Sequence, residues 1–151
     1  MEFRGFMRDM ILTELEDAVG VENVSSGMGD KLAYGTDYFW LSRMIVDKGG
    51  EPALPDYVVR PGSAEEVSKV LKIANYYKIP VQTWGGGSGS QGGALPMAGG
   101  IILDIKRMDK LLDIDTVSGT VTCETGMIFQ TLEWMVPRMG MRASSVISAP
   151  E

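Results

Sequence analysis

The densest chemical pattern in the chain is VQTWGGGSGSQGGALPMAGGIILD, residues 81–104, where six of the nine residues from Gly85 to Gly93 are glycine. A bend stripped of side chains either flexes or lets something approach the main chain closely. Successive backbone N–H groups in mixed right- and left-handed conformations form a concave nest for anionic oxygens. Glycine adopts those angles without a Cβ penalty. Ser88 and Ser90 add hydroxyl donors, and no lysine or arginine occurs between Thr83 and Gly100. A neutral cradle of this kind suits a diphosphate that stays bound through turnover, because a phosphoryl group in transfer needs a cation to neutralise it.

Two better-known phosphate motifs fail on their surroundings. Gly87-Ser88-Gly89-Ser90-Gln91-Gly92 fits GxGxxG, but a dinucleotide turn must open into a helix whose N-terminus holds the pyrophosphate. Pro96 and the Gly99-Gly100 pair leave no room for one. A Walker loop needs Gly-Lys-Ser/Thr, which does not follow. A flexible Gly/Ser linker is the rival reading. Against it, the bend lies between two short apolar strands, Trp84 and Ile101 being separated by residues 85–100, which is the span of a parallel crossover inside a domain.

The elements that must position this bend follow from periodicity. Met7, Met10, Ile11, Leu15 and Ala18 recur at helical spacing and predict a helix over about residues 5–19 with a methionine packing stripe, closed at Gly20. Residues 21–55 read as loop and short extended pieces, punctuated by Gly27, Gly29, Gly49, Gly50, Pro52 and Pro55. Residues 57–60 read as a strand. Ser63 followed by Glu66 makes a capping box for a helix with Val67, Val70, Leu71 and Ala74 on one face, ending near Tyr77 or Lys78. Strands follow at 79–84 and 101–104, a hairpin at 111–115 and 120–124, a helix at 127–135 disturbed by Pro137, and a connector at 144–151. This order predicts an α+β unit with a few short parallel strands, helices and a β-hairpin.

The 151 residues carry a formal net charge of −6, with 44% hydrophobic and 23% charged residues. That is globular usage, and it argues against nucleic-acid binding through phosphates. The chain has no histidine, which removes the commonest general base and the commonest metal ligand, and no metal-ligating residue is assigned. Cys123 has no partner for a disulfide and reads as a buried small residue, a reactive thiol being the minor alternative. Asp113 and Asp115 share one side of a strand beside a turn, where carboxylates are ordinarily solvated. Lys106, Arg107 and Lys110 form a small basic surface cluster. There is no membrane-spanning run, and the acidic first twenty residues do not read as a signal peptide, so the cytoplasm is the expected compartment.

Several ordered segments resemble the first half of the FAD-binding domain of FAD-linked oxidases of the vanillyl-alcohol oxidase / p-cresol methylhydroxylase (PCMH) type. They are Pro55-Asp56-Tyr57-Val58-Val59-Arg60-Pro61, Ser63 with Glu65-Glu66-Val67, Pro80-Val81 with Gly85-Gly86-Gly87-Ser88-Gly89 and Gly92-Gly93-Ala94, and Ile102-Leu103-Asp104 with Met108. The nearest look is to the glycolate oxidase FAD subunit and D-lactate dehydrogenases, whose Tyr-x-x-Asp is matched by Tyr34-Gly35-Thr36-Asp37. The resemblance implies a lead-in segment over residues 1–54 and the first part of an FAD-binding domain over 55–151, incomplete at its C-terminus. It implies FAD as cofactor, with Gly85, Gly86, Gly87, Ser88, Gly89, Ser90 and Gly92 around the pyrophosphate and Gly126 near the cofactor.

It further implies a flavin-dependent oxidoreductase acting on a small 2-hydroxy acid, glycolate- or D-lactate-like, or a related alcohol. An electron-acceptor protein or a quinone would take the electrons, with homo- or hetero-oligomers among the expected assemblies. The family often carries arginine immediately before the glycines; here it is Trp84. Some members tether FAD through histidine; without one, the FAD is expected to be non-covalent. Catalytic bases and the substrate-binding cap would lie beyond Glu151, so these residues alone are expected to be inactive. A non-catalytic subunit that completes a cofactor site only with a partner chain is the alternative.

Overall fold

A computed structural model of the protein describes residues 2–140; the connector expected at 144–151 lies outside the described residues. The elements are α1 (Glu2–Val19), β1 (Val24–Ser25), α2 (Met28–Ala33), α3 (Trp40–Asp47), β2 (Tyr57–Val59), α4 (Ala64–Tyr77), β3 (Val81–Trp84), β4 (Ile101–Asp104), β5 (Leu111–Asp115), β6 (Thr120–Cys123) and α5 (Phe129–Met135). They fall into two compact units, Met1–Ile105 and Lys106–Glu151.

The first unit is organised by a four-stranded sheet in the order β1-β2-β4-β3. β2, β4 and β3 run parallel, and β1 pairs antiparallel with β2. Every residue of β2 and β4 is buried, as expected of parallel strands covered on both faces. Side chains alternate between those faces. Tyr57, Val59, Ile101 and Leu103 face one way and pack with Ile11, Leu15 and Ala18 of α1 and Val70 and Ala74 of α4. Val58 and Ile102 face the other way and pack with Tyr34 and Trp84. Leu15, Val58, Val59, Val70, Ile101 and Ile102 are fully buried, each contributing about 1.5–3 kcal/mol relative to exposure.

The capping box forms as a variant. Ser63 Oγ accepts from the Glu66 N–H at 3.2 Å, while Glu66 Oε2 accepts from the Gly62 N–H at 2.7 Å, one residue before the cap. Asp56 ties three segments together. One carboxylate oxygen takes the Arg8 guanidinium at 2.5 Å and the other the Gly100 N–H at 3.0 Å. The Asp56 N–H in turn donates to the Gly100 carbonyl at 2.7 Å. Burial alone would raise the Asp56 carboxyl, but the Gly100 N–H and Arg8 outweigh it and hold it below its usual range. Gly100 has to be glycine: its φ is +79°, and a Cβ would sit 2.2 Å from the Pro80 carbonyl oxygen.

Several expectations are corrected. Residues 21–55 hold the expected short extended piece, β1, but also two short helices, because the glycines punctuate helices: Gly27 precedes α2, and Gly49, at φ +81°, closes α3. Met7 and Met10 lie exposed, so the packed stripe of α1 begins at Ile11. Leu71 is likewise exposed, leaving Val70 and Ala74 as the buried face of α4.

In the second unit, β5 and β6 form the expected antiparallel hairpin, with an irregularity between Leu111 and Asp113. Neither strand has a buried residue, so Cys123 is half-buried rather than interior. Asp115 is consumed by the turn, accepting from the N–H groups of Val117 and Ser118. No cluster suited to a metal ion occurs among the described residues.

Ser63→Ala should lower stability by about 1 kcal/mol through loss of the α4 cap, read as a lower urea midpoint with an unchanged slope.

Candidate functional site

The glycine bend leaves the carboxyl end of β3 and returns to the amino end of β4. Loops at carboxyl ends of parallel strands are where α/β sheets bind ligands. Alternation places Gln82 and Trp84 of β3 and Asp104 of β4 on the sheet face opposite α1 and α4, and the loop folds over that face. Gln82 Nε2 donates to the Gly93 carbonyl at 2.6 Å.

Trp84 is buried and meets Tyr34 edge to face, with ring centroids 5.0 Å apart at 77°. The Tyr34 hydroxyl donates to Asp104 Oδ2 at 2.5 Å, satisfying a buried carboxylate one strand away. Arg60 also interacts with Tyr34 and pairs with Asp30 at 2.6 Å.

The loop turns at two glycines, each seated on an aromatic ring. Gly87 has φ +67°, and a Cβ there would lie 2.6 Å from Trp84 Cζ2. Gly92 has φ +73°, and a Cβ there would lie 2.9 Å from Phe39 Cδ1. The Gly87 carbonyl is turned toward the protein, accepting from the Tyr38 N–H at 2.9 Å. Tyr38 and Phe39 are held by Asp37, whose Oδ1 accepts from the Phe39 N–H at 3.0 Å and from Ser42 Oγ at 3.4 Å. Asp37 Oδ2 is buried with no partner among the described residues.

The remaining glycines are different. Gly85, Gly89 and Gly93 have no positive φ, and a Cβ on any of them would meet nothing within 4 Å. Ser88, Gly89 and Ser90 are exposed. Among the described residues, none accepts a hydrogen bond from the amides of Gly85, Gly86, Gly87, Ser88, Gly89 or Ser90. The loop is therefore fixed at Gly87 and Gly92, while Ser88, Gly89 and Ser90 stand exposed, their amides without an acceptor among the described residues. A cradle that Cβ atoms would fill fits the diphosphate of a dinucleotide.

Of the residues singled out from sequence, Gly85, Gly86, Gly87, Ser88, Gly89, Ser90 and Gly92 come together on this loop. Gly126 belongs to the second unit, where it is buried and its N–H is spent on the Met108 carbonyl at 2.8 Å. The parts that sequence reasoning missed are the supports. Phe39 and Tyr38 lie in a stretch that reads as loop and short extended pieces, and Trp84 reads as the end of a strand where the family often carries arginine. The alternation of Gln82 and Trp84 within β3 was the available signal for the buried face.

Residues 55–148 match the family model described as an FAD binding domain, more than half of the chain. The chain belongs to the FAD-binding domain family. Its cofactor is FAD. It is similar to the probable mitochondrial D-2-hydroxyglutarate dehydrogenase of Oryza sativa, 29% identical over 138 residues, covering 91% of this chain and 21% of that protein. It is also similar to the D-lactate dehydrogenase of Archaeoglobus fulgidus, 39% identical over 84 residues, covering 56% and 19%. The glycolate oxidase subunit GlcD of Bacillus subtilis is 34% identical over 76 residues, covering 50% and 16%. The chain thus spans about a fifth of the length of these relatives.

Among solved structures, p-cresol methylhydroxylase superposes with a TM-score of 0.71 at 22% identity, over 94% of this chain and 27% of that one. The 4-ethylphenol oxidase of Gulosibacter chungangensis gives 0.73 at 28%, over 87% and 24%. The fold is the α+β PCMH-type FAD-binding fold anticipated from sequence. No helix among the described residues is long and apolar enough to cross a membrane.

The Tyr34 hydroxyl is pushed up to about 12, first by burial and then by its bond to Asp104, with Arg60 opposing. A proton held more tightly in the folded state stabilises fully below the ordinary value of 10.0 and is lost as pH rises through about 12. The stability advantage of wild type over Tyr34→Phe should therefore be constant up to about pH 10 and shrink between pH 10 and 12, measured by urea unfolding at each pH.

Proposed function

We propose that these residues hold the diphosphate of FAD in an oxidoreductase that oxidises a small 2-hydroxy acid of the glycolate, D-lactate or D-2-hydroxyglutarate kind. The observation that carries the reading is the split among the loop glycines. Gly87 and Gly92 are explained by backbone angle and by the rings beneath them. Gly85, Gly89 and Gly93 have no such reason among the described residues. What keeps their surface bare is then a ligand lying against the main chain.

In this reading the amides of Gly85, Gly86, Gly87, Ser88, Gly89 and Ser90 donate to the phosphate oxygens, and the Ser88 and Ser90 hydroxyls add donors. Gly92 sets the return bend. The chemistry that bound FAD supplies is acceptance of a hydride equivalent; protein groups around it bind and orient. With no histidine among these 151 residues, none of them can form a histidyl link to the flavin.

The hydroxy-acid substrate rests on the activities for which the relatives are named. Because this sequence spans about a fifth of their length, turnover is assigned to a longer chain or a complex, which supplies the substrate-binding groups. A partner chain that completes the cofactor site is a second reading. It is supported by Leu112, Ile128 and Trp134, which stand exposed in the second unit without a buried face on α5. Flavin retained only in a hetero-complex would favour it.

Gly89→Ala and Gly85→Ala should weaken FAD or ADP binding by about tenfold or more, roughly 1.4 kcal/mol, and leave the melting temperature of the free protein unchanged. Calorimetric titration and thermal melts of the same samples separate the two effects. Unchanged affinity in both variants would contradict the reading.

A further inference from the structure

We propose that Trp84 is the positioning residue that shapes the glycine loop for a diphosphate, doing by packing what a cation at this place would do by charge. The inference rests on the diphosphate reading above and adds a residue that does not itself donate to the ligand. Trp84 is only 6% exposed, so its ring is part of the floor and not a wall of the cradle.

Two contacts fix that ring. On one side it meets the edge of Tyr34, whose hydroxyl is anchored on Asp104. On the other, its benzo edge is the surface over which Gly87 turns: a Cβ on Gly87 would lie 2.6 Å from Cζ2, 3.1 Å from Cε2 and 3.3 Å from Cη2. The ring is clamped from below and has little freedom to retreat. The loop must therefore pass over it at Gly87 in a left-handed conformation, and the Tyr38 N–H holds the Gly87 carbonyl in that orientation. Peptide units on either side of Gly87 are thereby aimed while their amides stay unpaired.

The consequence for specificity is a site that selects the diphosphate by shape. With no lysine or arginine between Thr83 and Gly100, placing a charge at residue 84 adds attraction but removes the template. Shape and charge therefore predict opposite outcomes for the same substitution.

The test is a double-mutant cycle on the full chain, with ADP and FAD affinities measured for wild type, Trp84→Phe, Gly87→Ala and the double variant, beside Trp84→Arg. Gly87→Ala should cost about tenfold or more in affinity in the tryptophan background and at least about threefold less in the phenylalanine background, because phenylalanine lacks the benzo edge that the new methyl would strike. Trp84→Arg should bind more weakly than wild type despite its charge. An equal cost of Gly87→Ala in both backgrounds, or tighter binding by Trp84→Arg, would overturn the inference while leaving the diphosphate reading intact. A wild type that binds neither ADP nor FAD would overturn both.

Wild-type fluorescence gives a readout that does not depend on variants folding. Trp40 and Trp134 are 65% and 67% exposed, so emission that resists acrylamide belongs to Trp84. ADP should change that protected emission and adenosine should not. Protected emission that stays constant while ADP binds would count against a role for this ring.

Discussion

Everything at this site depends on how a chain with almost no side chains is held in one shape. A glycine-rich segment loses more conformational entropy on ordering than any other. Bare amides alone do not offset that cost. Here the segment is secured from beneath. Gly87 and Gly92 rest on the rings of Trp84 and Phe39, the Gly87 carbonyl is bonded to the Tyr38 N–H, and the Gly93 carbonyl to Gln82. These supports leave the opposite side free of side chains. Rigidity and openness come from different residues of the same loop, which is why the six glycines are not equivalent.

The supports reach into the body of the first unit. Trp84 leans on Tyr34, Tyr34 is bonded to Asp104, and Asp104 lies beside Trp84 in the parallel register of β3 and β4. This ring of contacts closes through the second face of the sheet, where Val58 and Ile102 supply apolar cover. The short polar bond in that apolar setting is costly to break, since burial keeps out the water that would replace it. The sheet's other face packs on α1 and α4 and carries the larger apolar core. The unit thus separates a face that carries the fold from a face that carries the site.

Much of this was legible in the residues. β4, α4 and the hairpin follow directly from apolar periodicity, a capping serine and turn residues, because each is a local pattern of the kind that sequence exposes. The proposed cradle is a feature of composition: glycines after a strand, no helix after them and no cation among them. What was not legible is which glycine does what. That depends on Phe39 and Trp84 arriving beneath Gly92 and Gly87, contacts between residues far apart in the chain or hidden by local burial. α2 and α3 were obscured for a related reason: Gly27 and Gly49 mark loops in composition but helix ends in space. Met7, Met10 and Leu71 obeyed helical spacing and still ended outside, because periodicity identifies a stripe and tertiary packing decides how much of it is covered.

The most direct measurement of the central claim is a titration of ¹⁵N-labelled protein with ADP and, separately, adenosine, followed through the backbone amides. The account predicts that ADP shifts the amide resonances of Gly85, Gly86, Gly87, Ser88, Gly89 and Ser90 downfield as their unpaired N–H groups gain phosphate acceptors, and that adenosine leaves those resonances in place. Bound ADP that leaves these amides unmoved would contradict it.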